Sequence, residues 1–300
     1  MPSIRANGLD FEFESLGDSR HPVILLVMGL GVQMILWPDE LCRRLVEKGF
    51  RVVRFDNRDI GLSTKLDHLG VPNIGLEAIK FALHLKMKAP YYIEDMAGDT
   101  EALLAALGIE RAHVVGCSMG GMISQNLAVR APGRVASLVS MMSTTGDRRL
   151  PSPTRRARRA ILLPLPKTGD VEGATVRMMK LLRYIGSNSL PAEEEYLRAL
   201  CERHVRRSFH PAGAARQLQA IAASGDRTAV VRRIRVPTLV LHGDEDPLLL
   251  PACGEATMKA INAGGGSAAM HTVRGMGHDF PVQVLPELAD RIAEHCGKNP

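Results

Sequence analysis

Short, continuous apolar runs recur along this chain and alternate with stretches of helical spacing. Val23–Met28, Arg51–Phe55, Ala112–Val115, Val135–Met142, Val236–Leu241 and Ala268–Val273 predict strands. Runs without polar alternation suit strands covered on both faces, as in a parallel sheet flanked by helices. Helical periodicity falls between them, over Ile35–Lys48, Tyr92–Leu107, Pro251–Asn262 and Val282–His295. Residues 3–16 alternate loosely and predict an antiparallel hairpin turning at Asn7-Gly8. The pattern as a whole predicts an α/β chain with a mostly parallel central sheet.

Two segments depart from it. Residues 144–233 are rich in Arg and Pro and lack long β-branched runs. Pro151, Pro153, Pro164, Pro166, Pro191 and Pro211 cut their helical patches into short pieces. They predict an inserted, mainly helical cap, with residues 1–143 and 234–300 as the core domain. Within residues 64–91, Leu76–Lys88 reads as a surface helix with Lys80, Lys86 and Lys88 on one side.

Candidate chemistry gathers where strands end. The run Ala112–Val115 leads into Gly116-x-Ser118-x-Gly120, and Met122, Ile123 and Leu127 follow at helical spacing. Strand, sharp turn and helix in that order form a nucleophile elbow. The turn strains the serine backbone, so only glycine fits two residues to either side. Serine is a weak nucleophile alone and needs a base, which needs an orienting acid. His278 lies in a glycine-flanked loop after the last strand, and Asp244 and Asp246 both follow the strand before it. Spacing leaves the choice between the two aspartates open. Oxyanion donors are expected at Met119, after the serine, and in the Gly29-Leu30-Gly31 loop. The same loops put Met28, Gly29, Leu30, Met119, Met141 and Met276 on the expected walls of a substrate pocket. The polar turn Asp56–Ser63 reads as locally hydrogen-bonded structure, and His113 as a structural residue.

Composition narrows the classes. The chain has 300 residues, 45% of them hydrophobic but only 4% aromatic, so core and pocket rely on aliphatic residues and Met. Net charge is +6 with a pI near 9.2, concentrated between Arg148 and Arg233. No aromatic interleaving or nucleic-acid motif accompanies it, so a solvated basic surface is expected, not a nucleic-acid partner. Cys42, Cys117, Cys201, Cys253 and Cys296 are scattered and odd in number, which predicts free thiols and a cytoplasmic protein. No signal-peptide pattern or membrane-length run is visible, so membrane insertion is not expected. There is no metal-ligand cluster and no phosphate loop, and the chemistry is expected to need no cofactor.

These motifs together carry a resemblance. Met28-Gly29-Leu30-Gly31, Asp56–Thr64, Gly116–Gly121, Gly243-Asp244-Glu245-Asp246-Pro247 and Gly277-His278 resemble the α/β-hydrolase fold family over nearly the whole chain. Within it, the chain is similar to capped bacterial esterases of the aclacinomycin methylesterase type, notably at Trp37-Pro38-Asp39-Glu40. The resemblance implies Ser118 as nucleophile, His278 as base and Asp246 as acid, with Leu30 and Met119 as oxyanion donors. The chain departs from the family at Met28-Gly29, where His-Gly is usual, and in the length of residues 64–91. The expected activity is hydrolysis of small-molecule carboxylic esters, uncharged and of short to medium chain. Hydrolysis of C–C, lactone or amide bonds, or a receptor without turnover, are the alternatives.

Overall fold

Asn7 and Gly8 both take positive φ, the geometry of a two-residue turn that matches strand twist. They join β1 (Ser3–Ala6) to β2 (Leu9–Leu16) as an antiparallel hairpin with Ala6 opposite Leu9. The computed structural model describes residues 2–299 apart from 84, 162 and 164–168, so Pro164 and Pro166 lie outside the described residues. The apolar runs become β3 (Val23–Val27), β4 (Arg51–Phe55), β5 (Ala112–Cys117), β6 (Val135–Met141), β7 (Thr238–Gly243) and β8 (Ala268–Val273). One eight-stranded sheet results, in the order β1-β2-β4-β3-β5-β6-β7-β8. From β4 to β8 every pairing is parallel.

The side-chain alternation of a strand divides the core in two. Leu25, Val27 and Val114 pack on one face with α3 (Ile93–Ala106) and α4 (Met119–Arg130). Ile24, Leu26 and Val115 pack on the other with α1 (Asp39–Glu47) and α11 (Leu285–Gly297). The helix predicted over Ile35–Lys48 starts later, because Pro38 sets its N-terminus and only a single 3-10 turn, Met34–Leu36, precedes it. The helix predicted over Leu76–Lys88 is shifted forward, as α2 (Ile74–Ala82).

Between β6 and β7 the described residues form helices and no strand: α5 (Arg155–Ile161), α6 (Val171–Ile185), α7 (Glu194–Arg207), α8 (Pro211–Ser224) and α9 (Thr228–Val231). Before β8 comes α10 (Pro251–Ala263). Most arginines of this segment are exposed, as a solvated basic surface requires, but three depart from that expectation. Arg216 is fully buried and forms a bidentate pair with buried Asp59, which also accepts from the Tyr91 hydroxyl. Arg207 reaches Asp56 at 2.6 Å, and buried Arg227 donates to the Thr144 carbonyl. A buried guanidinium needs such partners to offset desolvation. These arginines thus fasten the helices to the sheet. The Asp56–Ser63 turn anchors Arg207 and Arg216, with Asp56 also accepting from the Met34 and Leu62 N–H groups.

His113 on β5 is buried against the Phe50 ring, with its Nδ1 2.9 Å from the Ser137 hydroxyl. Burial first, then the positive neighbours His295 and Arg111, push its pKa from 6.5 down to about 4. The folded state therefore disfavours the imidazolium, while the unfolded chain protonates near the ordinary value. This stability contribution is complete above pH 6.5 and is lost as pH falls toward 4. Urea unfolding of wild type between pH 7 and 4 is expected to lose roughly 1–3 kcal/mol more than His113→Gln over that window. Parallel curves for the two proteins would refute this.

Candidate active site

Gly116 and Gly120 are needed for steric reasons. A Cβ on Gly116 would collide with the Gly120 carbonyl and the Ser124 hydroxyl, and one on Gly120 with the Val27 carbonyl. Between them Ser118 takes φ 57° and ψ −119°, a strained conformation for a side-chain-bearing residue. The strain is held by Ser118 N–H donating to the Met141 carbonyl at 2.9 Å and the Ser143 hydroxyl donating to the Ser118 carbonyl at 2.8 Å. The Ser118 side chain is left half-buried at the N-terminus of α4.

Two residues more than a hundred positions further along the chain converge on it. His278 Nε2 lies 3.0 Å from Ser118 Oγ, and His278 Nδ1 lies 2.7 Å from Asp246 Oδ2. The other Asp246 oxygen accepts the Leu248 and Leu249 N–H groups, each at 2.9 Å. His242 Nε2 donates to the Leu249 carbonyl at 2.6 Å and sits 3.5 Å from Asp246 Oδ2. Burial pushes the Asp246 carboxyl up, but the charge of His278 and the hydrogen bonds from His242 and His278 outweigh it. The group is held well below the usual carboxylate range. An ionised, buried acid on Nδ1 fixes the tautomer that leaves Nε2 free to accept the serine proton. Asp244 is exposed and accepts the Gly275 N–H at 2.7 Å, so it braces the histidine loop instead.

The loop after β3 lies over the serine. A Cβ on Gly29 would sit 3.2 Å from Ser118 Cβ. Asn57 donates to the Met28 carbonyl at 2.9 Å, and Gly31 N–H donates to Gln217 of α8 at 2.9 Å. Met119 is the first residue of α4, where backbone N–H groups have no partner within the helix. Leu30 and Met119 thus belong to the two chain segments that adjoin Ser118.

A cavity of about 1250 Å³ opens on Ser118 and His278. Met28, Gly29 and Leu30 line it as expected, joined by Met122 and Met178. Met141 and Met276 are fully buried in the core with α1 and α11 instead. The period of two puts Met141 on the same face as Val139, beneath the site. Met119 likewise turns its side chain into the opposite core. Three of the chain's few aromatics, Tyr196, Phe209 and Phe280, line the cavity, and Phe280 packs on Trp37. Cys117, beside Ser118, has its thiol pushed up by burial and by Asp246, so it stays protonated. All five cysteines are free and buried.

Sequence reasoning missed the residues that hold the histidine loop. Ser187 donates its hydroxyl to Asp279 at 2.6 Å and accepts the Gly277 N–H at 2.7 Å. His278 N–H donates to the Ile185 carbonyl at 2.9 Å. Glu245 accepts the N–H groups of Asn188 and Ser189. The end of α6 thereby links the loops that carry His278 and Asp246. Nothing in the local pattern of residues 185–189 signals these contacts, because every partner is distant in the chain. Among the described residues, no group of three or more His, Cys, Asp and Glu is arranged to hold a metal ion.

Comparisons with known proteins identify the family. The alpha/beta hydrolase fold family matches residues 22–280. The rhodomycin D methylesterase DauP of Streptomyces sp. (strain C5) is 28% identical, across 94% of this chain and 93% of the relative. The rhodomycin D methylesterase DnrP of Streptomyces peucetius is 29% identical over the same shares. The crystal structure of an enol-lactonase from Burkholderia xenovorans LB400 superposes with a TM-score of 0.73 at 23% identity, covering 99% of this chain and 100% of that one, and so shows the fold alone.

Proposed function

Because the chain belongs to the α/β-hydrolase fold family, we propose that Ser118, His278 and Asp246 act together to hydrolyse carboxylic esters through an acyl-enzyme. The observation that carries this reading is the relay of hydrogen bonds, 3.0 Å from Ser118 to His278 and 2.7 Å from His278 to Asp246, open to a largely apolar cavity. His278 Nε2 takes the serine proton as Ser118 Oγ attacks the ester carbonyl carbon. The Leu30 and Met119 N–H groups hold the developing oxyanion. The intermediate collapses, His278 returns the proton to the departing alcohol, and the acyl group stays on Ser118. Water, deprotonated by His278, then releases the acid by the same steps in reverse. Asp246 stabilises the imidazolium in both halves.

The two methylesterase relatives support ester cleavage, and a methyl ester as one substrate form. The acid part would fill the cavity, under a cap formed by residues 144–233. The apolar walls favour an uncharged acyl group, and unbranched methionines such as Met28, Met122 and Met178 adapt to different shapes. We therefore read the substrates as uncharged esters of short to medium chain.

The test is kcat/KM across methyl and p-nitrophenyl esters of increasing acyl length, with a charged ester and an anilide alongside. Each buried methylene, at about 0.8 kcal/mol, is expected to raise kcat/KM up to about fourfold until the cavity limits length. Preference for the charged ester or the anilide would overturn this reading. So would turnover confined to a C–C substrate, or a single turnover, which marks a receptor.

A further inference from the structure

The helix α2 (Ile74–Ala82) is inside out. Leu76, Ile79 and Leu83 fall at i, i+3 and i+7 on one face, and the Leu83 N–H donates to the Ile79 carbonyl, so the helical turn continues through it. These three are 48%, 58% and 63% exposed, whereas the Glu77 side chain between them is only 12% exposed and pairs with Lys80. The helix thus turns its polar residues toward the protein and its large aliphatic residues to the outside. Val71 and Leu85, on either side, are also more than half exposed. Among the described residues, half of the exposed large hydrophobic side chains fall between Val71 and Leu85. Single exposed apolar residues are ordinary, but a clustered row of them marks a binding surface.

We propose that this face docks on a lipid surface containing anionic lipid. Two further observations choose that occupant. Lys86 and Lys88 follow the apolar row and are exposed, so cations stand where the row would meet headgroup phosphates. Ile74, the first residue of α2, lines the cavity that holds Ser118 and is itself partly exposed, so the docked face adjoins the rim of that cavity. Apolar esters partition into lipid, and a rim resting on the interface receives them without a passage through water. Among the described residues no helix is long and apolar enough to cross a membrane, so the contact is peripheral and reversible. Docking does not depend on the proposed ester hydrolysis, and the experiment reads binding without turnover.

The full-length protein is sedimented with phosphatidylcholine vesicles and with phosphatidylcholine–phosphatidylglycerol vesicles. Binding is expected to the mixed vesicles, weakening as salt is raised. The triple variant Leu76→Ser, Ile79→Ser, Leu83→Ser and the double variant Lys86→Glu, Lys88→Glu are each expected to lose about tenfold or more in vesicle affinity. Both should keep kcat/KM on a water-soluble ester, which shows that the fold is intact. Absence of binding to the mixed vesicles, or undiminished binding by the triple variant, would overturn the proposal. A self-association of the wild type in solution that the triple variant abolishes would also overturn it, in favour of a second copy of the chain on this face.

Discussion

Ser118→Ala is expected to lower kcat by on the order of 10⁵–10⁶ while leaving the fold unchanged. The substitution removes one oxygen from a half-buried side chain and leaves intact the backbone bonds that hold the turn, from Ser118 N–H to Met141 and from Ser143 to the Ser118 carbonyl. What it removes is the hydroxyl that lies 3.0 Å from His278 Nε2. A residual rate roughly 10³ above that in water should persist, because the Leu30 and Met119 N–H groups and the cavity do not depend on the serine oxygen. Cys117 cannot take over, since burial keeps its thiol protonated. The complementary measurement is mass spectrometry after an organophosphonate. The adduct belongs on the peptide carrying Ser118, and an adduct elsewhere, or an alanine variant of normal activity, would remove Ser118 from the role.

Asp246→Asn is expected to cost on the order of 10⁴ in kcat, whereas Asp244→Asn should stay close to wild type. The contrast follows from the partners. In Asp246→Asn the remaining oxygen can still accept from Leu248 and Leu249, but an NH₂ group then faces His278 Nδ1. That amide donates where the carboxylate accepted, so the ring is held with its proton on Nε2, pointing at the serine. Such a histidine cannot act as base. Asp244 makes its contact through one oxygen to the Gly275 N–H, which an asparagine oxygen also accepts. Circular dichroism and thermal unfolding separate lost chemistry from lost folding. A severe loss in Asp244→Asn with a mild one in Asp246→Asn would put the acid two residues earlier.

Much of this was legible in the residues themselves. The parallel sheet followed from continuous apolar runs, and the hairpin from Asn7-Gly8, where both residues take positive φ. The elbow was legible for the same kind of reason. Its glycines are required by contacts that any side chain would violate, so the motif carries its own geometry. Helix starts were less legible where proline moved them, as at Pro38.

The choice between Asp244 and Asp246 could not be made from spacing. Both follow β7, and only the approach of the His278 loop, brought in by β8 more than thirty residues later, separates them. The cavity walls show the same limit. Met141 and Met276 flank loops that bear chemistry, yet strand alternation and loop packing turn them into the core, while Tyr196 and Phe209 arrive from a distant helical segment. That segment was the least readable part of the chain. Its arginines look like surface charge in sequence, and Arg216 becomes a buried partner of Asp59 only when the two are brought together. The sequence by itself determined what is enforced by neighbours: strand runs, turn glycines and the strained serine. Tertiary structure decided what depends on a partner far along the chain: the pairing of Asp246 rather than Asp244 with His278, the walls of the cavity, and the Ser187–Asp279 brace on the histidine loop. Local sterics act within a few residues, whereas the fate of a polar or apolar side chain is set by whichever distant group supplies its hydrogen bond or its contact.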